Sequence, residues 1–284
     1  MRSLLDETTV GPYLIGRNVI PPGPVRARTL AGGVSNVVLL VEAGGTWGDE
    51  SGRTRVVLKQ ARDRLRVADD WRADPARAQS EAAALRVLHA LDPDTVPAVL
   101  DDDPVARTLT VAAAPPTWVT WKDRLLAGDA DPAVAGRLGA VLRRWHTATG
   151  GDRPLPEPLE GTDGFRQLRL DPYFGTAARR RPDLAPAVER RVAELAARRT
   201  CLVSGDLSPK NVLVGDGDLW VVDLEVAHRG DPAFDVAFLV THLLLKAVHL
   251  AGQTQQAEHG GDRPAADGLR RCLRAFVDAY GPGS

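Results

Sequence analysis

Apolar and polar positions alternate through the first third of the chain and recur at helical spacing through most of the rest. Val25-Arg-Ala-Arg-Thr-Leu30 alternates, Ala31-Gly32-Gly33 interrupts with a turn, and Val37-Val-Leu-Leu-Val41 resumes as a strand. A Gly-rich tip, residues 43–52, leads into Thr54-Arg-Val-Val-Leu-Lys59-Gln60, so a meander of three antiparallel strands is predicted. Residues 62–77 are charged and carry no strand pattern. Pro75 is placed to open a helix over residues 76–91, where Ala82, Leu85, Leu88 and His89 recur at helical spacing. Residues 96–100 and 108–112 read as two further short strands.

Ala113-Ala-Pro-Pro116 breaks any regular element and is the predicted linker between two lobes, residues 1–114 and 115–284. Past it the pattern is mainly helical. A short helix is predicted over 121–127, and a longer one over 132–147 with Val134, Leu138, Val141, Leu142 and Trp145 on one face. Residues 150–164, rich in Pro and Gly, read as a surface loop. A helix over 183–199 follows, and helices over 234–250 and 265–280 close the chain, separated by a polar loop. Sheet first and helices after predict an α+β fold.

The 284 residues are 44% hydrophobic and 26% charged, with a formal net charge of −1. That balance excludes nucleic acid as a bulk electrostatic partner. Cys201 and Cys272 lack metal-ligand spacing and are expected to be buried thiols of a reducing compartment. The N-terminus lacks the apolar core of a signal peptide. The most apolar helix, over 234–250, is interrupted by Asp235, His242, Lys246 and His249 and reads as too short to cross a bilayer. A cytoplasmic protein with no membrane partner is expected.

Four segments carry candidate chemistry. In Leu30-Ala-Gly32-Gly33-Val-Ser35-Asn36, glycines between strands let backbone N–H groups approach phosphate oxygens, and Ser35 offers a hydroxyl; a plain turn explains the same residues. Lys59 stands alone in an apolar strand, where a cation needs counter-charge, and Glu81 on the following helix is its best partner. In Ser204-Gly205-Asp206-Leu-Ser-Pro-Lys210-Asn211, Asp206 precedes Asn211 by five, and apolar residues flank the loop on both sides. Asp223 ends the apolar run Leu219-Trp-Val-Val, where a carboxylate is costly unless paired or metal-bound; Glu225 is a second metal ligand or a salt-bridge partner. A carboxylate to orient a hydroxyl, followed by oxygen ligands for the ions that neutralise a triphosphate, is the layout phosphoryl transfer requires. Asp235 reads as a helix-start carboxylate that accepts backbone N–H bonds from the Asp206 loop.

The run Gly205-Asp-Leu-Ser-Pro-Lys-Asn211-Val-Leu-Val, then Val-Asp223-Leu-Glu and Gly230-Asp-Pro-Ala-Phe-Asp235, resembles the aminoglycoside phosphotransferase and choline kinase superfamily of small-molecule kinases. The resemblance spans residues 30–245 and implies a bilobal protein-kinase-like fold, ATP and Mg2+ as cofactors, and a small-molecule hydroxyl as acceptor. It also implies Asp206 as catalytic base, Asn211 and Asp223 as metal ligands, Lys59 on the ATP phosphates and Glu81 as its partner. Ser204 replaces the His usual two positions before the catalytic Asp, and a nucleotide-binding pseudokinase is the reading that departure leaves open.

The family's acceptors include aminoglycosides, choline, methylthioribose and macrolides. From Val240 onward the acids are Glu258, Asp262, Asp267 and Asp278, against Lys246, Arg263, Arg270, Arg271 and Arg274, which disfavours a highly cationic acceptor. Phe165 to Phe174 offers stacking groups for a sugar or nucleoside and reads equally as core. His242 and His249 share one helix face. The overall likeness to methylthioribose kinase makes a neutral pentose-like alcohol the first expectation.

Overall fold

The computed structural model describes residues 4–30, 36–44, 53–62, 77–256 and 263–281. Strands β1 (Val25–Thr29), β2 (Asn36–Ala43), β3 (Thr54–Ala61), β4 (Val99–Asp103) and β5 (Thr108–Ala112) form one antiparallel sheet in the order β1-β2-β3-β5-β4. Its two faces follow from the two-residue period of a strand. Val56 and Leu58 of β3 pack with Leu39 and Val41 of β2 against Val10 and Leu14 of helix α1 (Val10–Gly16). Val57 and Lys59 take the opposite face, toward helix α2 (Arg77–Leu91).

Two features of this region depart from the sequence expectation. α1 was not anticipated, because it is short and contains Gly11 and Pro12; its place comes from burying Val10 and Leu14 under the sheet, while Asp6 caps its start through the N–H groups of Thr8 and Thr9. The fourth strand starts at Val99 rather than Val96 and runs into three consecutive aspartates. This edge strand tolerates them because Arg17 pairs with Asp101 and Asp103, and Arg86 with Asp102.

Residues 113–116 carry no helix or strand. Beyond them come β6 (Val119–Thr120), α3 (Trp121–Leu126) and α4 (Pro132–Thr149). Thr120 and Asp131 cap the two helices through Asp123 N–H and Ala133 N–H, and Pro132 occupies the first helical position of α4. α4 lies against α9 (Arg263–Tyr280) so closely that a Cβ at Gly139 would collide with the Phe276 carbonyl. A 3-10 turn, Glu157–Leu159, sits within the segment expected to be a surface loop; Leu155 and Leu159 are buried in the main core, so that segment is partly internal.

The next helical stretch is irregular: α5 (Asp163–Phe165), a π-helical run Arg166–Gly175, α6 (Thr176–Arg180) and α7 (Ala185–Ala197). β7 (Cys201–Val203) pairs with β10 (His228–Gly230), while β8 (Val212–Gly215) lies between β6 and β9 (Asp218–Val221). α8 (Pro232–Gln256) is 25 residues long. The expectation of a helix too short for a bilayer is thereby corrected: Pro232–Gly252 has a mean hydropathy of 1.6 and sufficient length, with 22% of that apolar window buried. The main core joins Leu85 and Leu88 of α2 and Leu109 of β5 to Leu138 and Leu142 of α4, Leu239 of α8 and Phe276 of α9.

Candidate active site

Between β7 and β8 the chain makes the loop Ser204 to Ser208 and a 3-10 turn, Pro209–Asn211. Gly205 holds a left-handed φ of 71°, and a Cβ there would meet the Val226 carbonyl at 2.8 Å, so both conformation and space require glycine. Asp235, fully buried at the start of α8, accepts the N–H groups of Ser204 at 2.7 Å and Gly205 at 2.8 Å. His146 on α4 stands 3.3 Å from the same carboxylate and 3.0 Å from the Tyr280 hydroxyl. The loop is therefore braced from behind by a line running through α9, α4 and α8. Ser204 contributes its backbone N–H to this bracing, and its hydroxyl lies 3.5 Å from the Asp206 N–H.

Asp206 is buried. Its Oδ2 meets Arg169 Nη2 at 2.6 Å, Asn211 Nδ2 at 2.8 Å and Lys210 Nζ at 3.1 Å. Among the described residues Oδ1 takes no hydrogen bond from the protein. Asn211 Nδ2 also donates to the Asp206 carbonyl at 3.0 Å, which ties the two ends of the loop together. Burial works against the Lys210 ammonium, but Asp206 and Asp223 outweigh it and raise its pKa.

Arg169 is the member of this cluster that sequence reading missed. Its guanidinium is buried, donating also to the Gly205 carbonyl at 3.2 Å and the Leu168 carbonyl at 2.6 Å. In the π-helical run Leu168, Arg169 and Leu170 are all buried. The available signal was an arginine flanked by two leucines in a segment otherwise weighed for its aromatic residues.

Lys59 projects from β3 into the gap between sheet and helices. Its Nζ meets Glu81 Oε1 of α2 at 2.6 Å and Asp223 Oδ1, just past β9, at 3.0 Å. Burial opposes its charge, but the two carboxylates prevail and raise its pKa. Burial pushes the Glu81 carboxyl up to about 6, against Lys59 and with help from Asp223. Asp223 is held below the usual carboxylate range despite burial, chiefly by Lys59 and then Lys210. It also sits at a left-handed φ of 67° without being glycine, a conformation that costs about 1–3 kcal/mol and is found where surrounding structure overrules it.

Glu225 is buried and occupied by protein partners: Arg77 Nε at 3.1 Å and Asn36 Nδ2 at 3.1 Å. Of its two sequence readings, the salt bridge is the one present. Gly32, Gly33 and Ser35 lie outside the described residues. The two cysteines are buried and unbridged, and burial pushes their thiols up to about 12 for Cys201 and about 11 for Cys272.

The residues present suit a magnesium ion carried in with a nucleotide. Asn211 spends its amide nitrogen on Asp206, which leaves its carbonyl oxygen, and Asp223 adds carboxylate oxygen. Mg2+ takes oxygen ligands and is commonly held by one or two side chains plus substrate phosphates. Among the described residues no three His, Cys, Asp or Glu side chains converge into a self-sufficient cage.

The segment weighed for sugar stacking divides in two. Phe165 is core, stacked on His228 at 4.2 Å and edge-on to Phe234 at 4.7 Å. Tyr173 is 56% exposed and meets Phe238 edge-on at 6.2 Å. His242 is half-buried against Phe238 at 4.8 Å, whereas His249 is exposed.

A model described as the phosphotransferase enzyme family matches residues 26–272. Methylthioribose kinase 2 of Oryza sativa subsp. japonica is 25% identical over 232 residues, covering 71% of this chain and 54% of that protein. The chain thus spans about half the length of the curated relatives it matches. Among solved structures, amicoumacin kinase hAmiN in complex with AMP-PNP, Ca2+ and Ami superposes with a TM-score of 0.56 at 14% identity, covering 93% of this chain and 76% of that one. Choline kinase LicA from Streptococcus pneumoniae gives 0.51 at 14% identity, covering 95% and 98%. At such identities the likeness establishes the fold, the α+β protein-kinase-like arrangement of small-molecule kinases.

Proposed function

The chain belongs to the phosphotransferase enzyme family, and we propose that it moves the γ-phosphoryl group of ATP to a hydroxyl of a small molecule. The observation that carries this reading is the asymmetry of Asp206. Three donors converge on Oδ2, leaving Oδ1 for a substrate hydroxyl. In the proposed reaction Asp206 takes the hydroxyl proton at Oδ1 as the acceptor oxygen attacks the γ-phosphorus. The bond from that phosphorus to the β,γ-bridging oxygen breaks, and ADP departs with the electron pair. Asn211 and Asp223 hold Mg2+, which when bound supplies neutralisation of the triphosphate charge. Lys59, kept protonated by its two carboxylates, lies on the phosphates with Glu81 fixing its direction. Gly32, Gly33 and Ser35 are assigned to the phosphates by the family resemblance alone.

The acceptor is a sugar, nucleoside, amino alcohol or antibiotic hydroxyl, with a pentose-like alcohol favoured by the methylthioribose kinase relatives. The pseudokinase alternative rested on Ser204. Against it, the loop is braced by Asp235 through two backbone N–H groups, a support that does not need histidine at position 204. The deciding experiment is ADP release from Mg-ATP across a panel of small alcohols. Stimulation by an acceptor, lost in Asp206→Asn, is the expected result. Tight Mg-ATP binding with no stimulated turnover by pentoses, nucleosides, amino alcohols, macrolides or aminoglycosides would favour the pseudokinase instead.

A further inference from the structure

Three donors share one oxygen of Asp206, and they are not equivalent. Arg169 reaches Oδ2 at 2.6 Å, Asn211 at 2.8 Å and Lys210 at 3.1 Å. Arg169 is buried and also donates to the Gly205 and Leu168 carbonyls. Asn211 is buried and also donates to the Asp206 carbonyl. Among the described residues the Lys210 ammonium has no hydrogen-bond or ion-pair partner besides Oδ2, and its side chain is 53% exposed. Two of the donors are thus fixed by backbone carbonyls around the loop. The third is a point charge on a flexible four-carbon stem, held by a single contact.

During transfer, charge moves past that contact. The reacting hydroxyl lies at Oδ1 of the same carboxylate, and Asp206 becomes neutral as it takes the proton. The phosphoryl group, joined to that same hydroxyl oxygen, carries its negative charge to the acceptor side. A neutral carboxyl holds a cation less strongly than a carboxylate does. Arg169 keeps the Gly205 and Leu168 carbonyls when the carboxylate charge is gone, whereas Lys210 keeps nothing. Lys59 is committed elsewhere, to Glu81 and Asp223 across the gap.

We propose that Lys210 is a catalytic residue whose ammonium leaves Oδ2 of Asp206 and donates to an oxygen of the transferring phosphoryl group, while Arg169 and Asn211 keep the carboxylate aimed. This rests on the phosphotransferase reading and adds a residue to it. The acceptor O–H proton goes to Oδ1, and the acceptor oxygen forms its bond to the γ-phosphorus. The bond to the β,γ-bridging oxygen breaks, ADP leaves with that electron pair, and Lys210 stays an ammonium throughout. Because the contact forms as charge shifts, it lowers the barrier more than it tightens nucleotide binding.

The test is calorimetric titration of the full chain with Mg-AMP-PNP, and with Mg-ADP in the presence and absence of tetrafluoroaluminate. The fluoride complex stands for the transferring phosphoryl group, with water in the acceptor's place. In the unsubstituted protein tetrafluoroaluminate is expected to tighten Mg-ADP binding by about a hundredfold. Lys210→Met is expected to lose about tenfold of that gain while its Mg-AMP-PNP affinity stays within about threefold. Its melting temperature should hardly move, since a half-exposed ion pair contributes little to folding. Lys210→Arg is expected to keep the gain. A full gain in Lys210→Met, an equal loss for AMP-PNP and the fluoride complex, or no gain in an unsubstituted protein that binds AMP-PNP would overturn the proposal. Absence of AMP-PNP binding by the unsubstituted protein would break the kinase reading, and this proposal with it.

Discussion

Asp206 and Asp223 are acidic groups of one cleft, yet they are held in opposite ways. Asp206 sits on a loop whose backbone is bonded to the buried Asp235, and its carboxylate is clamped by Arg169, Lys210 and Asn211, all on the helical side of the molecule. Asp223 is reached across the gap by Lys59 of the sheet, a cation it shares with Glu81. One carboxylate is positioned by covalently nearby backbone and a buried brace. The other depends chiefly on a cation from the distant strand β3. The first arrangement is suited to aiming a single oxygen; the second can exchange partners when a polyphosphate and its metal enter.

That contrast can be broken most severely at Asp206. Asp206→Asn is expected to abolish transfer, by about a thousandfold or more, while Mg-ATP affinity stays within several-fold; stimulated ADP release and nucleotide titration read the two effects. A mutant with near wild-type turnover would sink the base assignment. Next in size is Arg169→Met, which removes one partner of a buried pair and is expected to cost about 3–5 kcal/mol of stability along with a large loss of kcat. Thermal melts and kinetics on the folded fraction separate the two consequences.

On the other side of the contrast, Asp223→Asn is expected to weaken Mg-dependent nucleotide binding by about tenfold or more, and unchanged binding would count against its role as a metal ligand. A gentler effect comes from pH. Glu81 titrates near 6 in the fold against an ordinary 4.5, so its charge disappears as pH falls through about 6 and Lys59 loses a partner. Nucleotide affinity should decline over that window, and the decline should be missing in Glu81→Gln. For folding the sign is reversed: a carboxyl with a raised folded pKa contributes stability below about 4.5 that is lost as pH rises through 6. The smallest change expected is Ser204→His, within several-fold in turnover, because Asp235 and His146 already brace the loop.

Much of this site was legible along the chain. The Asp206 to Asn211 interval, the isolated Lys59 and the acidic end of β9 are local patterns, each confined to one loop or strand whose backbone geometry is set by neighbouring residues. Arg169 was not legible, because its partner Asp206 lies 37 residues farther on and only the fold brings the two together. The status of Glu225 was ambiguous for the same reason: Arg77 and Asn36 occupy it from far away in sequence. Likewise the length of α8 was underread, since the polar residues past Leu250 continue a helix whose packing is set by earlier turns and by α9.

Alternation, glycine turns and spacing by themselves determined the sheet-then-helix order, the catalytic-loop layout and the family resemblance, because these are consequences of local backbone preference and short-range pattern. Only the tertiary structure decided which charges meet. Lys59 finds Asp223 across 164 positions, and Asp235 finds Ser204 across 31. Such pairings arise from packing a common core, and the low-dielectric interior then makes each of them matter energetically.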